Sequence, residues 1–194
     1  GPACASLRQR SQQSEQSPER NIVATTRGTA SHSSNRGKAD SSAKTDDAFT
    51  LLTADHDKVK KLFNSFESSG SNADKKERLV AEICTELTVH ATIEEEIFYP
   101  AAREALEEQD LLDEAEVEHA SAKELIAQLE DMKPGDELYD AKVTVLGEYI
   151  DHHVKEEQEE MFPKIKKAKL DLNALGAKMK ARKEELMAEM SEVA

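Results

Sequence analysis

Four histidines and two glutamates of this 194-residue chain stand at spacings that let them share a cation. His90 is followed four residues later by Glu94 in HATIEEEIFYP (90–100), and His153 by Glu157 in HVKEEQEEMFP (153–163). On a helix, residues i and i+4 lie one above the other with Cβ atoms about 6 Å apart, so each pair aims at one point. His56 precedes His90 by 34 residues and His119 precedes His153 by the same number, so one offset of 63 residues carries the first set onto the second. Two carboxylates buried together are costly unless a cation compensates them, and the chemistry expected of this set is metal binding. A single histidine, or a single H-x-x-x-E, is more often an ordinary core or surface feature. It is the coincidence of six donors under one offset that points to a metal.

The same offset aligns DHDKVKKLFNSFE (55–67) with EHASAKELIAQLE (118–130), pairing Lys60 with Lys123, Leu62 with Leu125 and Phe66 with Leu129. Each half therefore reads as a helical hairpin that contributes one histidine from its first helix and a His-x-x-x-Glu from its second. His152 breaks the pattern: its counterpart is Val89, and it points about 100° away from His153, at the rim. The glutamate runs around the two motifs read as largely solvated faces, and the Phe98-Tyr99-Pro100 and Met161-Phe162-Pro163 endings as core closure and helix punctuation.

To converge, these residues need long helices. Leu51, Leu52, Val59, Leu62, Phe63 and Phe66 recur at three- and four-residue steps, and SSGSNA (68–73) ends that run. A second helix is expected from about Asp74 to Pro100, continuing past it with a kink. A third should start at Asp110, KPGD (133–136) should turn, and a fourth should span roughly 137–167. The fold expected is all-α: an up-down-up-down antiparallel four-helix bundle over 46–167, built of repeats 46–108 and 109–167, with an additional amphipathic C-terminal helix in 168–194. Residues 1–45, rich in Ser, Arg, Gln, Thr and Gly, read as a disordered tail or, alternatively, a targeting segment.

Composition narrows the function. The net charge is −14, and beyond residue 44 there are 19 basic residues against 37 acidic ones. Such a body is repelled by nucleic acid and by anionic membranes, so neither is an expected partner. Cys4 and Cys84 make no disulfide framework, and no run reaches the roughly 18 apolar residues of a membrane span. The expectation is a soluble intracellular protein, cytoplasmic unless residues 1–45 direct it to an organelle. Its protein partners are not legible in the sequence.

With these motifs in place, residues 46–167 resemble the hemerythrin-like, HHE cation-binding family, and KKAKLDLNALGAKMKARKEEL (166–186) resembles the extra helix often found after that domain. The resemblance implies a non-haem di-iron centre, oxo- or hydroxo-bridged, with His56 and His90 on one iron, His119 and His153 on the other, and Glu94 and Glu157 bridging. Imidazole and carboxylate suit iron, and two histidines with two bridging oxygens leave an octahedral ion about two positions for a bridge and an outside ligand such as dioxygen, nitric oxide or peroxide. One departure is Ala115, where the oxygen-carrying members place a further histidine, which argues against reversible oxygen transport. Glu116, Glu86 and Tyr149 lie three or four residues before ligand histidines and are candidates for an extra ligand or for support of the bridge. The leading expectation is a protein that binds or senses a small ligand, or iron itself, without steady turnover. The alternatives are a di-iron enzyme consuming peroxide or nitric oxide or oxidising ferrous iron, and a structural zinc module that engages a protein partner.

Overall fold

The computed structural model describes residues 47–193. The tail or targeting segment expected over 1–45, with Cys4, lies outside them. All regular structure among the described residues is helical: α1 (Ala48–Glu67), α2 (Ala73–Ile93), α3 (Tyr99–Ala105), α4 (Asp110–Glu130), α5 (Tyr139–Glu156), α6 (Phe162–Lys167) and α7 (Leu172–Val193), with π turns at Glu94–Phe98 and Glu157–Met161. No described helix is long and apolar enough to cross a membrane.

Local chemistry sets the ends. Asp47 caps α1 by accepting from the Thr50 amide at 2.8 Å, and Asn72 caps α2 by accepting from Lys75 at 3.0 Å. Between them Gly70 takes φ +58°, a left-handed conformation that glycine adopts without a Cβ penalty. In the KPGD turn Gly135 has φ +101°, and the Asp136 carboxylate accepts from the Lys133 amide at 2.8 Å.

The expected kink at Pro100 takes a different form. A proline inside a helix lacks an N–H and crowds the carbonyl four residues back. Here the chain inserts one extra residue into the turn just before it: the Tyr99 amide donates to the Glu94 carbonyl, five residues back. Phe162, before Pro163, does the same to Glu157. The second helix thus runs on past Pro100, as α2, π turn and α3, and the fourth as α5, π turn and α6. Both π turns begin on a glutamate singled out from the sequence.

The four long helices touch in a closed circuit, α1 with α2, α2 with α4, α4 with α5 and α5 with α1, while α7 lies against α1 and α2. Their apolar stripes form two clusters. One gathers Leu52, Ile93, Phe98, Leu112, Ile165 and, from α7, Met179, all fully buried. The other holds Val59, Ile83, Leu87, Ile126, Val143 and Leu146. At about 25 cal/mol per Å² of apolar surface removed from water, these clusters supply most of the drive to fold. The histidines and glutamates belong to neither; they lie between the two in sequence on α1, α4 and α5, while on α2 His90 and Glu94 interleave with Val89 and Ile93 of the first.

Candidate metal centre

His56 on α1, His90 on α2, His119 on α4 and His153 on α5 are all buried, and Glu94 and Glu157 open the two π turns at 0% and 1% exposure. Nε2 of His56 lies 3.0 Å from Nε2 of His90, and Nε2 of His119 lies 3.3 Å from that of His153. Glu157 Oε2 is 3.2 Å from His56 Nε2, and Glu94 Oε2 is 3.3 Å and 3.4 Å from Nε2 of His90 and His119. Two groups of potential metal donors result, each within 4.8 Å: His56, His90, Glu94 and Glu157, and Glu94, His119 and His153. Glu94 belongs to both.

The donor set fits a cation on its own terms. None of the four carboxylate oxygens of Glu94 and Glu157 has a hydrogen-bond partner among the described residues, although imidazole nitrogens face them. Burying such atoms unsatisfied costs several kcal/mol by transfer arguments. Two nitrogen donors at right angles on one ion, with bonds of about 2.1 Å, would stand about 3.0 Å apart, which is the His56–His90 separation. Protonation in the metal-free site follows the same logic. Burial opposes ionisation of Glu94, but His90 outweighs it and holds the carboxyl below its ordinary range. Burial and the adjacent Glu94 push Glu157 well above its own. Burial and neighbouring His90 hold His56 down to about 3, whereas for His90 the burial penalty is overcome by Glu94 and Asp55, lifting it to about 9.

Every histidine of the cluster also has a partner at Nδ1, which the sequence reading missed. His153 Nδ1 meets Glu118 Oε2 at 2.8 Å, His119 Nδ1 meets Glu95 Oε1 at 3.1 Å, His90 Nδ1 meets Asp55 Oδ2 at 3.5 Å, and His56 Nδ1 meets the Gln158 amide nitrogen at 2.9 Å. Such contacts orient a ring and fix which nitrogen is bare. The signal was available: Asp55 and Glu118 each precede a ligand histidine, and Glu95 and Gln158 each follow a ligand glutamate.

Tyr99 was also missed. Its hydroxyl lies 3.3 Å from His119 Nε2, with the ring 1% exposed. Burial and the surrounding carboxylates push the phenol well above its ordinary value, so it stays a hydrogen-bond donor. Reading 90–100 as plain α-helix hides this, because the extra residue of the π turn swings Tyr99 back over Glu94.

None of the three extra candidates, Tyr149, Glu116 and Glu86, is among the grouped donors. Tyr149 is 47% exposed and does not face the cluster. The inward stripe of α5 runs through Val143, Leu146, Ile150, His153 and on to Glu157, centred some 40° to one side of His153; Tyr149 falls about 40° to the other. Glu116 is exposed and paired with Arg103 at 2.8 Å. Glu86 is buried but receives Lys58 Nζ at 2.7 Å. His152 sits at the rim as expected, 63% exposed, with Glu156 3.2 Å away.

A cavity of about 20 Å³ touches all four histidines and is otherwise lined by aliphatic side chains, among them Val59, Leu87, Ile126 and Ile150, and by Asp55 and Lys123. That is room for a water or a diatomic molecule beside the imidazoles.

Comparison with known proteins adds a family and two relatives. The hemerythrin HHE cation binding domain matches residues 47–193, which include all seven helices. A DNA nickase from Nostoc sp. (strain PCC 7120 / SAG 25.82 / UTEX 2576) is 29% identical over 116 residues, 60% of this chain and 32% of that protein, so the chain spans about a third of its relative. The crystal structure of a hemerythrin HHE cation binding domain-containing protein from Mycobacterium kansasii matches with a TM-score of 0.65 at 25% identity, covering 74% of this chain and 88% of that one.

Proposed function

The chain belongs to the hemerythrin HHE cation-binding family, and from that premise we propose that its buried cluster holds two iron ions and binds or senses a small ligand: dioxygen, nitric oxide or peroxide. We read the four long helices as an up-down-up-down antiparallel bundle that carries this centre. His56 and His90 would hold one ion, His119 and His153 the other, with Glu94 and Glu157 between them. The observation that carries the proposal is the set of four partnerless carboxylate oxygens facing four imidazole Nε2 atoms in a sealed interior.

Bound iron supplies redox activity and open coordination positions for an outside ligand. The chain does the rest. Asp55, Glu95, Glu118 and Gln158 orient the rings, the two carboxylates offset part of the metal charge, and the aliphatic cavity wall excludes bulk water and larger ligands. Tyr99 offers a hydroxyl to whatever binds beside His119. The same hydroxyl favours a second reading, a peroxide-consuming enzyme, because a buried phenol can hold a proton near a bound oxygen. DNA nicking, named for the Nostoc relative, fits this chain poorly, since 37 acidic residues against 19 basic ones beyond residue 44 oppose a phosphate backbone.

Anaerobic loading with ferrous iron followed by elemental analysis tests the proposal. Two irons per chain, with near-ultraviolet charge-transfer bands after exposure to air, are expected. A zinc-only protein, or a His56→Ala, His119→Ala, Glu157→Ala triple variant with undiminished iron, would overturn it. Bleaching by peroxide or nitric oxide then separates the readings, a single event for a binding protein and repeated turnover for an enzyme.

A further inference from the structure

The four groups behind the ligand histidines are unlike one another, and from them we infer that the two halves of the centre grip their ions unequally, the ion on His56 and His90 being the one released first. The inference rests on the two-iron reading above. On that reading Glu94 and Glu157 would both serve each ion, although Glu157 now groups with His56 and His90 alone, and what then distinguishes the two halves is how the imidazoles are fixed.

On the His119 and His153 side both partners are carboxylates at short range, Glu95 at 3.1 Å and Glu118 at 2.8 Å. A carboxylate only accepts, so each ring keeps its proton on Nδ1 and presents a bare Nε2 to the centre. Both rings are thereby oriented before a cation arrives, and the Tyr99 hydroxyl, 3.3 Å from His119 Nε2, would have to give way to it.

The other side is set loosely. Gln158, 2.9 Å from His56 Nδ1, is a neutral amide that can turn either its oxygen or its NH2 to the ring, so it does not hold the ring proton on Nδ1 as a carboxylate does. Asp55 stands 3.5 Å from His90 Nδ1, at the limit of a hydrogen bond; it is also held by Lys183 of α7, as Glu95 is by Lys123, so the longer reach to the ring is what sets it apart. The 63-residue offset makes the comparison position by position: Glu118 stands where Asp55 does, Gln158 where Glu95 does, and Phe162 where Tyr99 does. The first two of these differences favour the His119 and His153 half; the third sets the Tyr99 hydroxyl on His119 Nε2, where an arriving ion would displace it.

The test follows iron release from the fully loaded chain into excess bipyridine under anaerobic conditions. Wild type is expected to lose its two ions in two phases separated by about tenfold, the scale on which such supporting contacts act. Gln158→Glu, which supplies an acceptor like Glu95, should slow the fast phase by about tenfold and leave the slow one in place. Glu95→Gln should quicken the slow phase. Both positions lie at the edge of the cluster, and circular dichroism verifies that each variant is folded. Loss of both ions in one phase, or a Gln158→Glu effect confined to the slow phase, overturns the inference while leaving the two-iron reading standing. Failure of wild type to hold stoichiometric iron overturns both.

Discussion

Glu157→Gln keeps the shape of a side chain that is 1% exposed and removes its charge. In the metal-free protein, burial and then the facing Glu94 raise the Glu157 pKa well above the ordinary 4.5 of a glutamate. The folded state therefore retains a proton that the unfolded chain gives up. The resulting stability is fully present below pH 4.5 and is lost above it, by about 1.4 kcal/mol for each pH unit until the folded pKa is reached. Glutamine cannot ionise, so the metal-free variant should match wild type near pH 4.5 and gain on it by that slope as pH rises. Comparison at equal pH cancels the contributions of His56 and His90. Iron should reverse the order. A ligand at a hundred times its Kd stabilises the folded state by about 2.7 kcal/mol, and a variant with one anionic donor fewer should keep less of that gain. Urea unfolding of the full chain at pH 4.5, 5.5 and 6.5, with chelator and with ferrous iron, reads both effects. A metal-free variant no more stable than wild type at pH 6.5, or one that gains as much from iron as wild type does, would refute the reasoning.

Other consequences are open to measurement. On the two-iron proposal, Tyr99→Phe should retain its metal and most of its stability, losing about 1 kcal/mol or less for one hydrogen bond, yet change the visible spectrum or the rate of reaction with peroxide; Tyr149→Phe should change neither. Met179→Ala, at a fully buried position of α7, should cost 2–5 kcal/mol, roughly the usual range for such truncations, in urea unfolding. The His90 pKa is raised to about 9, so the metal-free protein should lose stability as pH climbs from 6.5 towards 9, and His90→Gln should flatten that dependence. An unchanged slope in the variant would show that another group is responsible.

The sequence was most legible where chemistry and helical period coincide. His56, His90, Glu94, His119, His153 and Glu157 were readable because carboxylate and imidazole at i and i+4, repeated under one offset, have few other uses; the structure brings all six together. Tyr99 was not readable, because counting in α-helical turns places it off the site and only the π turn ahead of Pro100 restores it. Tyr149 misled for a related reason: one turn from a ligand is the same face only to within about 40°, and on α5 that error falls on the solvent side. Glu116 and Glu86 were plausible by register but are held by Arg103 and Lys58, cations whose reach the register does not reveal. The partners at Nδ1 were hidden in glutamate runs that look like ordinary solvated surface.

The division of the apolar interior by a storey of acids and imidazoles bears on how the protein opens. Stripped of its cations, that storey is poor glue, and the end containing Met179 and Ile165 can come apart separately from the end containing Ile83 and Leu146. Loading with iron ties the two ends into one cooperative block. Amide hydrogen exchange should therefore show two distinct opening free energies in chelated protein and a single, higher one once iron is bound.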